Sequence, residues 1–148
     1  NYEISCKIPN YAPSTYKSRF EEKYIVKKID LENLMLAKNI KIIDARPKKR
    51  FDGFELEPRK NTRIGNIPGS INIPYTSIIN DSGQLKSTKY LANFFKKIIK
   101  SKEEKIVCMC GSGITACNII FVLNILGYVD VSLYDGSWAE WGYIEEKN

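Results

Sequence analysis

The sequence predicts an α/β domain with a mostly parallel, five-stranded sheet covered by helices on both faces. Short apolar runs at 24–26, 40–45, 70–73, 105–109 and 131–134 alternate with helix-like segments at 30–37, 87–101 and 115–126. Alternation of this kind arises where a sheet must bury both of its faces. The 148 residues are 43% hydrophobic and 27% charged, which suits one core of ordinary size.

Residues 1–23 hold Pro9 and Pro13 among polar and aromatic side chains without a sustained period, and read as an extended arm or interdomain linker. The folded domain is expected over 24–148. Tyr24 to Val26 is a candidate edge strand, and Asp30 is placed to cap a helix running to about Ala37. Ile40 to Ala45 is a compact apolar run suited to a central strand. The segment from Pro47 to Gly69, rich in Arg, Lys, Gly and Pro, reads as a long loop, and loops beyond about 12–15 residues are usually functional or disordered.

Ser70 to Ile73 is a short strand stopped by Pro74, and residues 80–83 form a turn. From Ser87 to about Ser101, Phe94, Phe95, Ile98 and Ile99 oppose a solvated lysine face of Lys96, Lys97 and Lys100. Lys105 to Met109 is the next strand. A helix from Thr115 to Leu126 is closed by Gly127, and it is apolar on nearly every side except at Asn118 and Asn124, so it is expected inside the domain. Val131 to Tyr134 completes the sheet. Ligands bind such sheets beyond the carboxyl ends of the strands. Arg46, Cys110 and Asp135 each follow a strand directly and are all expected on that edge.

Composition narrows the function classes. No apolar run approaches the roughly 18 residues of a membrane span, and the first residues lack the apolar core of a signal peptide. Neither membrane insertion nor secretion is expected. The chain begins at Asn1 rather than Met, so it is expected to be part of a longer protein. The net charge of +6 comes mostly from lysines on a helical face, without a nucleic-acid motif, and no RNA or DNA partner is expected. Cys6, Cys108, Cys110 and Cys117 have neither zinc-site spacing nor the density of a disulfide framework, which points to a reducing compartment. The expected location is the cytoplasm, with the mitochondrion as the alternative. No metal site or cofactor is expected.

The segment from Cys110 to Ala116, CGSGITA, carries the chemistry. It joins a buried strand to a helix, so Gly111, Ser112, Gly113, Ile114 and Thr115 must curl around the sulfur. The two glycines free the backbone to turn successive N–H groups inward, and the start of the following helix favours negative charge at the same place. Cys110 is therefore expected to react as a thiolate. The chain contains no histidine, the usual base beside a catalytic cysteine. Cys108 and Cys117 read as core cysteines.

Taken with IIDARPKKRFDG, EPR, IGNIPGSINIPY and LYDGSWAEW, the cysteine loop resembles the carboxyl-terminal catalytic domain of the 3-mercaptopyruvate sulfurtransferases, of the rhodanese fold. The likeness covers about Lys28 to Gly142. It implies a three-layer rhodanese-like domain in which Cys110 takes sulfur from 3-mercaptopyruvate as a persulfide and passes it to thioredoxin, glutathione or another thiol, or to cyanide. It implies that Ser112 relays a proton near Cys110. It implies that Gly111, Gly113, Ile114 and Thr115 frame the bound sulfur, and that Arg46 and Arg59 grip the substrate carboxylate. The other reading of those arginines is structural pairing with Asp44, Asp52, Glu55 or Glu57. Asp135 to Trp138 read as a turn whose aromatic plug walls the pocket, and Asn66 as structural.

Gly111 and Ser112 are small and neutral where thiosulfate-preferring relatives carry basic side chains, so mercaptopyruvate is the expected donor and thiosulfate the alternative. A rhodanese-like phosphatase needs an arginine six residues beyond the cysteine, and position 116 is alanine. In longer family members an amino-terminal rhodanese domain, absent from this chain, adds an aspartate and a histidine to the site, so this chain is expected to turn over slowly. A binding or regulatory module without turnover is the remaining alternative.

Overall fold

The strands are β1 (Ile25–Val26), β2 (Lys41–Asp44), β3 (Ile71–Asn72), β4 (Ile106–Met109) and β5 (Val131–Tyr134) in a computed structural model that describes residues 5–145. Across the sheet they run β1-β5-β4-β2-β3, and every pairing between them is parallel. The central strand β4 is apolar on both sides because helices cover both faces. On β4, Ile106 and Cys108 point to one face while Val107 and Met109 point to the other.

The first face packs against α3 (Thr88–Lys96) and α4 (Ala116–Ile125), with Phe95, Ile119 and Leu123 completely buried. The opposite face packs against α1 (Lys28–Leu36) and α5 (Ser137–Trp141) through Leu31 and Trp138. Helix α3 starts where Ser87 Oγ accepts the Tyr90 N–H at 3.3 Å, satisfying one of the donors that a helix start leaves open. It stops at Lys96, short of the expected Ser101, but Ile98 and Ile99 both return N–H bonds to the Phe95 carbonyl, and that extra turn buries Ile99.

Three expectations need correction. Asp30 lies in the first turn of α1, and the cap is Lys27; a carboxylate there still complements the positive end of the helix. The segment after β2 is not irregular throughout: it opens with one helical turn, α2 (Lys48–Phe51), and its Thr62 bridges Tyr143. Helix α4 is not enclosed, since Phe121 is 57% and Ile125 52% exposed. A helix lying on one sheet face buries only the stripe turned toward it, however apolar the rest of its surface.

Residues 5–20 are exposed and contain no helix or strand. Residues 1–4 of the expected arm and 146–148 of the expected domain lie outside the described residues.

Removing Phe95 empties the centre of the α3 layer, where its ring meets Phe94 edge-on at 5.2 Å. Phe95→Ala is expected to cost about 3–5 kcal/mol in urea unfolding, and Ser87→Ala about 1 kcal/mol. Equal losses would contradict this account of the layer.

Candidate active site

From β2 the chain crosses to β3 on one side, and from β4 it crosses to β5 on the other. The two connections therefore diverge at the carboxyl ends of adjacent strands, which opens a crevice between them. Asp44 and Met109 are partners in register, and the Ala45 N–H donates to the Met109 carbonyl at 2.8 Å, so both loops leave the sheet at one level. Between them lies a cavity of about 390 Å³, within the range of small-molecule sites. Arg50, Glu57 and Arg59 line it from the first loop, and Cys110, Gly111, Ser112, Ile114 and Thr115 from the second.

Hydrogen bonds to the start of α5 shape the cysteine loop. The N–H groups of Trp138 and Ala139 donate to the carbonyls of Cys110 and Gly111 at 2.9 and 3.0 Å. A peptide plane carries its carbonyl and the next N–H in opposite directions. The N–H groups of Gly111 and Ser112 are thereby turned away from α5. The Cys110 N–H donates to Ser137 Oγ at 3.2 Å, and that hydroxyl donates to the Tyr134 carbonyl at 2.8 Å. Ser137 holds a left-handed φ of 50° while completely buried. These bonds offset a backbone strain of roughly 1–3 kcal/mol.

The two loop glycines serve different ends. Gly113 has a φ of +85°, and a Cβ there would lie 3.3 Å from the Asp135 carbonyl oxygen. Asp135 thus sits behind the loop. At Gly111 a Cβ would come within 2.9 Å of Arg50 Nη2, so the absence of a side chain makes room for a guanidinium from the facing loop. Gly113 does not itself line the cavity, and Ile114 stands at its mouth, 75% exposed.

The arginines depart from expectation. Arg46 is only 1% exposed and does not line the cavity. Its Nε and Nη2 donate to the Asp44 carboxylate, Nη2 also to the Gly65 carbonyl at 2.8 Å, and Nη1 to Glu57 Oε1 at 2.8 Å. The guanidinium carbon lies 4.2 Å from the Trp138 ring centre. Every nitrogen of this fork donates to a structural partner. Arg46, two residues past the end of β2, is enclosed by these partners instead of lining the crevice.

Arg50, one turn further along α2, reaches it instead. Its Nε donates to Glu57 Oε1 at 3.2 Å and its Nη2 to the other Glu57 oxygen. Arg59 is exposed, with Nη1 donating to the Gly111 carbonyl at 3.1 Å. Sequence reasoning missed Arg50 and the role of Glu57; the available signal was the helical offset of Arg50 from Pro47, which swings its side chain off the strand axis. Trp138 lies beneath Arg46, and Ala139 supplies the cavity wall expected of it. Asn66 donates to the Phe51 carbonyl at 3.0 Å.

Cys108 is completely buried, and desolvation pushes its thiol well above the ordinary cysteine range. Cys117 is exposed, not a core residue, because it falls on the outer side of α4. Its sulfur nonetheless turns inward to the Gly113 carbonyl at 3.4 Å. Desolvation, then the neighbouring Cys110 and Asp135, push that thiol up.

Residues 28–143 match the family model of the rhodanese-like domain. The chain is 34% identical over 141 residues to the 3-mercaptopyruvate sulfurtransferase of Mus musculus, covering 95% of this chain and 48% of that protein. It is 32% identical over 142 residues to the thiosulfate sulfurtransferase of Gallus gallus, covering 95% and 48%. The crystal structure of SseA from Escherichia coli, a 3-mercaptopyruvate sulfotransferase with the rhodanese fold, superposes with a TM-score of 0.69 at 35% identity, over 84% of this chain and 45% of that one. The chain spans about half the length of the curated relatives it matches. With a cysteine loop closing one side of a parallel-sheet crevice and this extent of similarity, the chain belongs to the rhodanese-like domain family.

Proposed function

We propose that the protein is a sulfurtransferase that moves sulfur from 3-mercaptopyruvate through Cys110 to a thiol acceptor such as thioredoxin or glutathione, or to cyanide. The observation that carries this reading is the shared cavity of Cys110, Arg50 and Arg59. A nucleophile and two planar cations facing one space suit a small acid with a transferable atom near its carboxylate.

In the first half-reaction the Cys110 thiolate attacks the donor sulfur, a sulfur–sulfur bond forms, and the carbon–sulfur bond breaks. Its electron pair leaves on the methylene carbon as the enolate of pyruvate, which takes up the proton of the donor thiol. The products are pyruvate and a Cys110 persulfide anion, so atoms, charge and electrons balance. Arg50 and Arg59 hold the carboxylate, the part assigned to Arg46 from sequence passing to Arg50. The N–H groups of Gly111 to Thr115 stabilise the sulfur anion, with Gly113 permitting the turn. Ser112, which lines the cavity wall, is the group proposed to move the proton. In the second half-reaction an acceptor thiolate attacks the outer sulfur and Cys110 leaves as thiolate.

Small neutral side chains at Gly111 and Ser112 favour mercaptopyruvate over thiosulfate. The curated relatives are about twice as long as the matched segment, and the proposal includes a preceding rhodanese domain that completes the site, with slower turnover in its absence. Among the described residues no helix is long and apolar enough to cross a membrane. Thiol chemistry of this kind belongs in a reducing compartment, and the cytoplasm is the proposed one.

Exposure to 3-mercaptopyruvate is expected to add one sulfur atom to the intact mass, and Cys110→Ser to abolish the gain. An unchanged wild-type mass, with the protein folded, would contradict the proposal. Arg50→Met and Arg59→Met are each expected to raise KM by roughly 10- to 100-fold, as charge-assisted hydrogen bonds to the carboxylate are lost. Arg46→Met should instead appear in urea unfolding as a loss of about 3–5 kcal/mol, because it leaves buried carboxylates uncompensated.

A further inference from the structure

Asp44, Arg46, Glu57 and Arg50 form one continuous ion-paired chain running from the end of β2 to the wall of the cavity. Asp44 is completely buried and pairs with Arg46; the side chain of Glu57, 3% exposed, pairs with Arg46 through Oε1 and with Arg50 through both oxygens. The two carboxylates cancel the two guanidinium groups. Among the described residues Arg59, the other cation on the wall, has no carboxylate partner and donates to the neutral Gly111 carbonyl. Asp135 stands behind the cysteine loop against Gly113, off the cavity wall. Leaving the reacting Cys110 aside, the wall therefore offers two donor forks and one positive charge without a carboxylate partner among the described residues.

Glu57 has two effects on Arg50. Its bidentate bond fixes the guanidinium plane against Gly111, in the space that a side chain at 111 would fill. Its charge removes most of the attraction that Arg50 would exert on a second negative charge in the cavity. For a ligand, Arg50 keeps the N–H groups that Glu57 does not take.

Resting on the sulfurtransferase reading, we infer that Glu57 is a positioning and specificity-determining residue that, by fixing and neutralising Arg50, tunes the site to a monoanionic sulfur donor and against a dianionic one. A carboxylate monoanion meets one net charge and an oriented fork. A dianion such as thiosulfate brings a second charge that finds no uncompensated partner, and it must also face the charge of the buried Glu57 carboxylate on the wall.

The test compares kcat/KM for 3-mercaptopyruvate with kcat/KM for thiosulfate in the wild type, Glu57→Gln and Glu57→Asp. Glu57→Gln keeps the shape and removes the charge, and it is expected to lower the mercaptopyruvate-to-thiosulfate ratio about tenfold or more. Glu57→Asp keeps the charge on a shorter arm; kcat/KM should fall for both donors while their ratio stays within about twofold. A ratio unchanged in folded Glu57→Gln would overturn the inference, because a merely structural role lowers both donors alike.

Should Glu57→Gln not fold, the wild type supplies an independent measurement, protection of Cys110 from iodoacetamide by added anions. Pyruvate is expected to protect at about tenfold lower concentration than sulfate; sulfate protecting equally well or better would overturn the inference. If the wild type gains no sulfur from 3-mercaptopyruvate, the sulfurtransferase reading itself fails. If it gains sulfur while the selectivity is unmoved, only the role of Glu57 fails.

Discussion

A guanidinium as buried as that of Arg46 needs a partner for each of its nitrogens, and the architecture around the crevice follows from that requirement. Asp44 at the end of β2, Glu57 and the Gly65 carbonyl in the long connection, and the Trp138 face on α5 each contribute one side of the enclosure. Three segments far apart in sequence are thereby tied to one point. The connection after β2, which as free chain would sample many conformations, is held where its Arg50 and Arg59 face the cysteine loop.

The same helix α5 that covers Arg46 with Trp138 also holds the cysteine loop by its first N–H groups and by Ser137. The two halves of the site are thus positioned through one short element. Its strained start at Ser137 is offset by the Ser137 hydroxyl, which accepts from the Cys110 N–H and donates to the Tyr134 carbonyl. Gly111 then lets the halves approach until the Arg50 guanidinium lies directly against the loop.

Much of this was legible from the chain. Apolar runs bounded by Gly and Pro gave the strands, because a sheet buried on both faces needs continuous hydrophobic segments. The cysteine loop was visible from its glycines at a strand–helix junction. What escaped was the outcome of competition between equivalent side chains. Arg46 and Arg50 differ little as letters in a basic segment, and the partners each meets decide the outcome: Asp44, Gly65 and Trp138 enclose Arg46, while Arg50 lies against Gly111 in the crevice. Cys117 and the outer face of α4 were misread for a related reason: apolar composition reports how much surface could be buried, while the number of neighbouring layers determines how much is. The bridging position of Glu57 depends on where a long connection folds back, which no local pattern encodes.

The central claim is that a carboxylate held by Arg50 and Arg59 presents a transferable sulfur to residue 110. A crystal structure of Cys110→Ser protein soaked with 3-mercaptopyruvate tests it directly. The account predicts the carboxylate on both guanidinium groups, with the donor sulfur facing the serine hydroxyl. A donor bound elsewhere, or with its carboxylate against the cysteine loop and its sulfur among the arginines, would contradict it.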